Sequence, residues 1–141
     1  MSLAHVLHVS ATPALDVITG KIIGAAIEVH RNLGPGLLES AYRACLCYEL
    51  EQLNLRYKID QALPLVYKGT IRINRAYTAD LIVESAVIVE LKALPSTPPV
   101  CRQHLLTYLR VTVCRVGLLV NFGAQTMTAG IDRLVNRFPG G

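Results

Sequence analysis

The chain has 141 residues, enough for one domain with a real core and no covalent staples. Hydrophobic residues make up 52% and charged residues 17%, so surplus apolar surface is expected to be covered in a homodimer. The net charge of +4 permits phosphate contact without demonstrating it, because the cations are scattered. No apolar run reaches the roughly 18 residues that span a bilayer, and no basic segment leads into an unbroken apolar stretch. No membrane partner and a cytoplasmic setting are therefore expected. Cys45, Cys47, Cys101 and Cys114 form no CxxC pair, and Cys45 and Cys47 point about 200° apart on a helix, so reduced, buried thiols are expected.

In chain order, residues 1–11 have no clear period and read as an N-terminal arm that either packs on a partner or stays flexible. Thr12-Pro13 reads as a helix start, Ile18, Ile22, Ala26 and Val29 follow at helical spacing, and Asn32-Leu33-Gly34 is a stop. After the Gly34-Pro35-Gly36 turn, a second helix is predicted from Leu37 to Leu53. Leu63–Tyr67 reads as a short strand, kept at an edge by Pro64. Lys68-Gly69 turns the chain into another strand over Thr70–Ile73. Thr78–Val83 and Val87–Ala93 are apolar enough for central strands, with Glu84-Ser85-Ala86 as a hairpin loop between them. A helix over Val100–Arg110, a strand over Val116–Phe122 and a short helix over Ile131–Phe138 complete a single α/β domain covering 1–141.

Polar residues inside the apolar strands carry the chemistry. Period-2 geometry puts Glu90 and Lys92 on one face, with Leu91 on the other. Taken alone, this E-x-K is most often a strand-end ion pair. Asp80 interrupts the preceding apolar run, and a three-residue loop pairs residue 83 with 87, which sets Asp80 opposite Glu90. Two facing carboxylates repel, and a divalent cation with oxygen ligands relieves that repulsion. A two-residue loop would put Asp80 beside Leu91, on the wrong face. Glu39 lies in the first turn of the second helix, where the helix dipole favours an acid in any case.

Gly36-Leu37-Leu38-Glu39-Ser40-Ala41-Tyr42 reads as G-x-x-E-x-x-Y. Co-linear segments accompany it: Ile22–His30, Leu33–Gly36, Val66–Gly69, Ala79–Leu81, Val89–Ala93, Leu105–Leu109 and Gly117–Gly123. Over about residues 17–136 the chain resembles the bacterial GxxExxY protein family, placed in the PD-(D/E)XK nuclease superfamily. The resemblance implies a restriction-endonuclease-like core, a central mixed sheet flanked by helices. It implies Mg²⁺ or Mn²⁺ held by Asp80, Glu90 and the Leu91 carbonyl, with Glu39 completing the acidic site or holding a water on a second metal. Lys92 would orient or deprotonate the attacking water and stabilise charge on the phosphate. Hydrolysis of phosphodiesters in DNA, or alternatively RNA, is the implied activity. One position departs from the pattern: where the family shows Gln, this chain has His104, with Gln103 one residue earlier and about 100° away on a helix. His104 is a candidate donor to water or phosphate, or simply a half-buried helix residue. Two other readings stand beside the enzyme: a non-catalytic nucleic-acid-binding module, and a homodimeric interaction or accessory protein. His30 and Glu28 are expected to support the Gly34-Pro35-Gly36 turn, and His5 and His8 to have no role.

Overall fold

A computed structural model describes residues 3–136 except 113, with side chains described from residue 14 onward. Helix α1 (Leu3–Leu33) and helix α2 (Glu39–Gln52) lead into β1 (Tyr57–Tyr67), β2 (Ile71–Val83) and β3 (Val87–Lys92). Helix α3 (Pro99–Arg110), β4 (Val116–Asn121), the single turn α4 (Met127–Gly130) and β5 (Ile131–Val135) follow. The sheet order is β1-β2-β3-β4-β5. Only β3 and β4 pair in parallel, with α3 as the crossover between them, so the sheet is mixed.

The apolar periods of the sequence become two cores, one on each face of the sheet. Ile22, Ala26 and Val29 of α1 and Tyr42, Leu46 and Leu50 of α2 bury against Leu81, Val87, Val89, Leu91, Leu118 and Val120. On the other face, Leu105 and Leu109 of α3 pack on Ile82, Ile88 and Leu119. Every residue of β4 is buried, as expected of a strand covered on both sides.

Four expectations need correction. The helix begins at Leu3, so residues 3–11 are helical and Thr12-Pro13 lies within α1 instead of starting it. Proline removes one main-chain bond, but the alanine and leucine around it favour the helix. The two segments Thr70–Ile73 and Thr78–Val83 are one strand, β2, paired along its length with a β1 that starts earlier, at Tyr57. The register shifts between Leu63 and Leu65, beside Pro64, where the pairing jumps from Tyr77 to Ile73. Proline has no N–H to give the ladder, and the residues around Asn74–Ala76 form a bulge there. The segment predicted as a closing helix holds strand β5, antiparallel to β4, over Ile131–Val135; residues 137 and 138 lie outside the described part. Finally, of the four free cysteines only Cys114 is buried, and the other three are half-buried.

Candidate active site

The site begins at the β2–β3 hairpin. Val83 pairs with Val87, Ile82 with Ile88 and Leu81 with Val89 across the three-residue loop, so the next step of the register sets Asp80 opposite Glu90. The loop holds Glu84 and Ser85 at positive φ, and the Glu84 carboxylate accepts from Arg56 N at 2.6 Å, tying the tight turn to the start of β1. The main-chain ladder stops at Leu81↔Val89. The Leu91 N–H, whose parity would pair it with Ala79, is taken instead by Asp80 Oδ2 at 2.8 Å. A strand residue points its N–H and C=O toward the same neighbour, so the Leu91 carbonyl faces this same parting of the strands. The acid thus does a ladder's work where the two strands separate.

Glu90 is half-buried, on the face covered by α3. Its Oε1 is buried without a hydrogen-bond partner. Burial, then the facing Asp80 charge and a hydrogen bond with that carboxyl, push the Glu90 carboxyl up to about 8, against the pull of Lys92. Leaving a buried carboxylate oxygen unpaired costs on the order of 1–3 kcal/mol or more. A bound cation or a proton would satisfy such an orphaned oxygen. Lys92, half-buried two residues on, acts on Glu39 and Glu90 through its charge, and among the described residues it makes no direct ion pair.

Glu39 is the first residue of α2, and the resemblance to G-x-x-E-x-x-Y acquires a physical account here. Tyr42 is fully buried, and its ring stacks on Phe122 with centroids 4.7 Å apart. Its hydroxyl donates to Gly34 O at 2.5 Å and accepts from Leu37 N at 3.1 Å. One phenol therefore fastens both ends of the Gly34–Leu37 turn and fixes where α2 begins. Glu39, exposed at that point, is raised above the ordinary carboxylate range by partial burial and by Asp80, while Lys92 and Arg43 lower it. The helix start thus delivers an acid into the field of Asp80 and Lys92.

The exit of β3 is fastened just as closely. Buried Asn121 accepts from Leu94 N at 3.0 Å and Gly123 N at 2.9 Å, and donates to Thr97 Oγ1 at 3.0 Å. Phe122 N donates to Lys92 O at 2.8 Å. A Cβ on Gly123 would stand 2.1 Å from Leu94 O, so only glycine lets the two segments approach. His30 Nε2 lies 2.8 Å from Ala124 O, joining α1 to the loop after β4. Its side chain therefore supports that loop, and only its main-chain oxygen reaches the glycine turn, accepting from Gly34 N at 2.8 Å. Glu28 binds Arg31 and Asn32 and does not touch the turn.

His104 is exposed on α3 rather than half-buried, and with Cys101, Tyr108 and Leu119 it lines a cavity of about 30 Å³ beside Glu90 and Lys92. It stands at the cavity where Gln103 does not. Tyr108 was missed by sequence reasoning. Its hydroxyl is raised by burial and by the Glu90 charge, and its ring stacks on Tyr77 at 3.9 Å. The spacing of Cys101, His104 and Tyr108 along one helix face was the available signal.

The donors suit a hard divalent cation: two facing carboxylates, an unsatisfied Oε1 and a main-chain carbonyl in the same gap. Among the described residues no three His, Cys, Asp or Glu side chains are gathered as a ready-made metal cluster, so side chains alone do not complete a coordination shell. A profile of the PD-(D/E)XK nuclease superfamily matches residues 16–134. The chain belongs to this superfamily. No curated protein and no solved structure matches it. The matched range runs from α1 through β5 and so takes in every element that builds the site. Membership makes the domain nuclease-like and implies nucleic acid as its substrate class. No helix among the described residues is long and apolar enough to cross a membrane.

Proposed function

We propose that the protein is a metal-dependent nuclease that hydrolyses phosphodiester bonds of DNA. The observation that carries this reading is the Asp80–Glu90 pair, facing across the parted strands with a buried, unpartnered oxygen and Lys92 beside it. Asp80, Glu90 and the Leu91 carbonyl would hold Mg²⁺ or Mn²⁺. When bound, the ion would polarise a phosphoryl oxygen and make water a readier nucleophile. Lys92 supplies fixed positive charge where the phosphate gains negative charge, and holds the attacking water by hydrogen bonding. Glu39 orients water from the helix side, and His104 offers a donor at the cavity mouth.

RNA as substrate is the alternative within the same chemistry. The four free thiols support a reducing, cytoplasmic setting, and the exposed apolar side chains of β1 and β2 support a homodimer. The test is cleavage of linear, circular, single-stranded and branched DNA and of RNA, with Mg²⁺ or Mn²⁺ present. Wild type should cut at least one substrate, and Lys92→Ala should be slower by at least about a hundredfold. If wild type binds nucleic acid but leaves every substrate intact, the domain is a binding module and the catalytic reading fails.

A further inference from the structure

Residues 61–78 form the outer part of the β1–β2 hairpin, and none of the catalytic roles above uses their charged side chains. This ribbon contains Lys68, Arg72 and Arg75 and no acid, so it accounts for three of the chain's four net positive charges. Residues 66–76 are all exposed. Lys68 sits at the turn with its ammonium 5.4 Å from the Tyr67 ring centre. Arg72 Nε donates to Asn74 Oδ1 at 2.9 Å, and Arg75 donates to Thr78 Oγ1 at 3.2 Å. None of the three has a carboxylate partner among the described residues. The remaining cations and acids of the chain nearly balance, so this exposed element carries most of the net positive charge.

We infer that the ribbon is an arm that grips the phosphate backbone of the nucleic acid, using Lys68, Arg72 and Arg75. The inference rests on the nuclease reading and adds where the substrate is held. β2 is continuous from the ribbon to the site, and Arg72 lies eight residues before Asp80 on it. At about 3.3 Å per residue the separation is at most about 26 Å. That corresponds to about eight base pairs of duplex at 3.4 Å each. Arg75, five residues from Asp80, reaches about five base pairs on the same scale. Lys68, twelve residues from Asp80, extends the reach to about twelve base pairs, so the arm engages substrate on one side of the cut over about that length. The ribbon's other character is apolar: Leu65, Tyr67, Ile71 and Ile73 pair across it and share a face, which could instead meet a second copy of the chain. Charge complementarity favours the polyphosphate, since a second copy brings the same three cations to the same surface.

The experiment measures binding of labelled duplex DNA, single-stranded DNA and duplex RNA across a salt series in EDTA, where no cutting occurs. It compares wild type with the triple variant Lys68→Gln, Arg72→Gln, Arg75→Gln and with the charge-preserving variant Arg72→Lys, Arg75→Lys. Each lost phosphate contact lowers the slope of log affinity against log salt by about 0.9 for duplex, so the glutamine variant should lose about 2–3. The lysine variant should retain the wild-type slope. Thermal unfolding checks that both variants remain folded. A wild-type slope in a folded glutamine variant overturns the arm, whatever the Lys92→Ala cleavage comparison says of the active site. Salt-independent or absent binding by wild type also overturns it. So does a shift of the glutamine variant from dimer to monomer mass with its slope intact, which would mark the ribbon as a self-association surface.

Discussion

Replacing Tyr42 with phenylalanine deletes one oxygen and leaves the stack on Phe122 in place, so Tyr42→Phe isolates the hydroxyl that fastens the glycine turn. Two hydrogen bonds vanish, one to Gly34 O and one from Leu37 N. Gly34 is half-buried and Leu37 exposed, so water recovers part of each bond. The net cost is then about 1–2 kcal/mol, below the full penalty of two orphaned buried groups. For a domain of this size that lowers the melting temperature by about 3–7 °C. Tyr42→Ala also empties a fully buried ring position, which costs a further 3–5 kcal/mol or so and threatens folding altogether. Urea and thermal unfolding of both variants, read by circular dichroism, give the comparison. A melting point for Tyr42→Phe within about 1 °C of wild type, or one as low as that of Tyr42→Ala, refutes the assignment of a distinct hydroxyl contribution.

Metal-free protein should lose stability as pH rises from about 5 to about 8. The Glu90 carboxyl is held above its unfolded value, so the folded state keeps a proton that the unfolded state releases in this window. Glu90→Gln mimics the protonated form and should be the more stable protein at pH 8, by a few kcal/mol on the order of the shift. Below about pH 4.5 the two should converge. Parallel urea-denaturation curves for the two proteins in EDTA at pH 5 and 8 contradict this. Asn121→Ala orphans the N–H groups of Leu94 and Gly123, and should cost about 2–4 kcal/mol with faster hydrogen exchange at both amides. Gly123→Ala should be worse still, because Leu94 O has no room to retreat from a Cβ; soluble, native-like expression of this variant would show that the close approach is not required.

The chemical centre was legible because it breaks a pattern. Asp80, Glu90 and Lys92 stand out in runs of residues that want to be dry, and the length of the Glu84–Ala86 loop was enough to set the register that brings the two acids together. Other parts left no such trace. The ribbon is exposed over residues 66–76, so no burial period marks it as one strand pair, and only the pairing with β1 makes β2 continuous. Ile131–Val135 has apolar residues at both helical and strand spacing, and its neighbour β4 decides between them. Helix α1 continues through Pro13, a residue that ordinarily argues for a helix start. His30 reaches a carbonyl 94 residues away, and the Tyr42 hydroxyl binds two main-chain groups of a turn. Those contacts exist only once the helices are docked on the sheet. The motif letters were visible in the sequence, whereas the reason for the tyrosine was not.

If Asp80 and Glu90 face each other to share a divalent cation, the ion itself can be located. Crystals soaked in Mn²⁺ and measured at its absorption edge test this most directly, because the anomalous signal locates the ion without reference to activity. A peak should lie between the Asp80 and Glu90 carboxylates, within contact of the Leu91 carbonyl, and be absent from Asp80→Asn crystals. No peak there at saturating Mn²⁺, or a peak bound elsewhere on the chain, contradicts it.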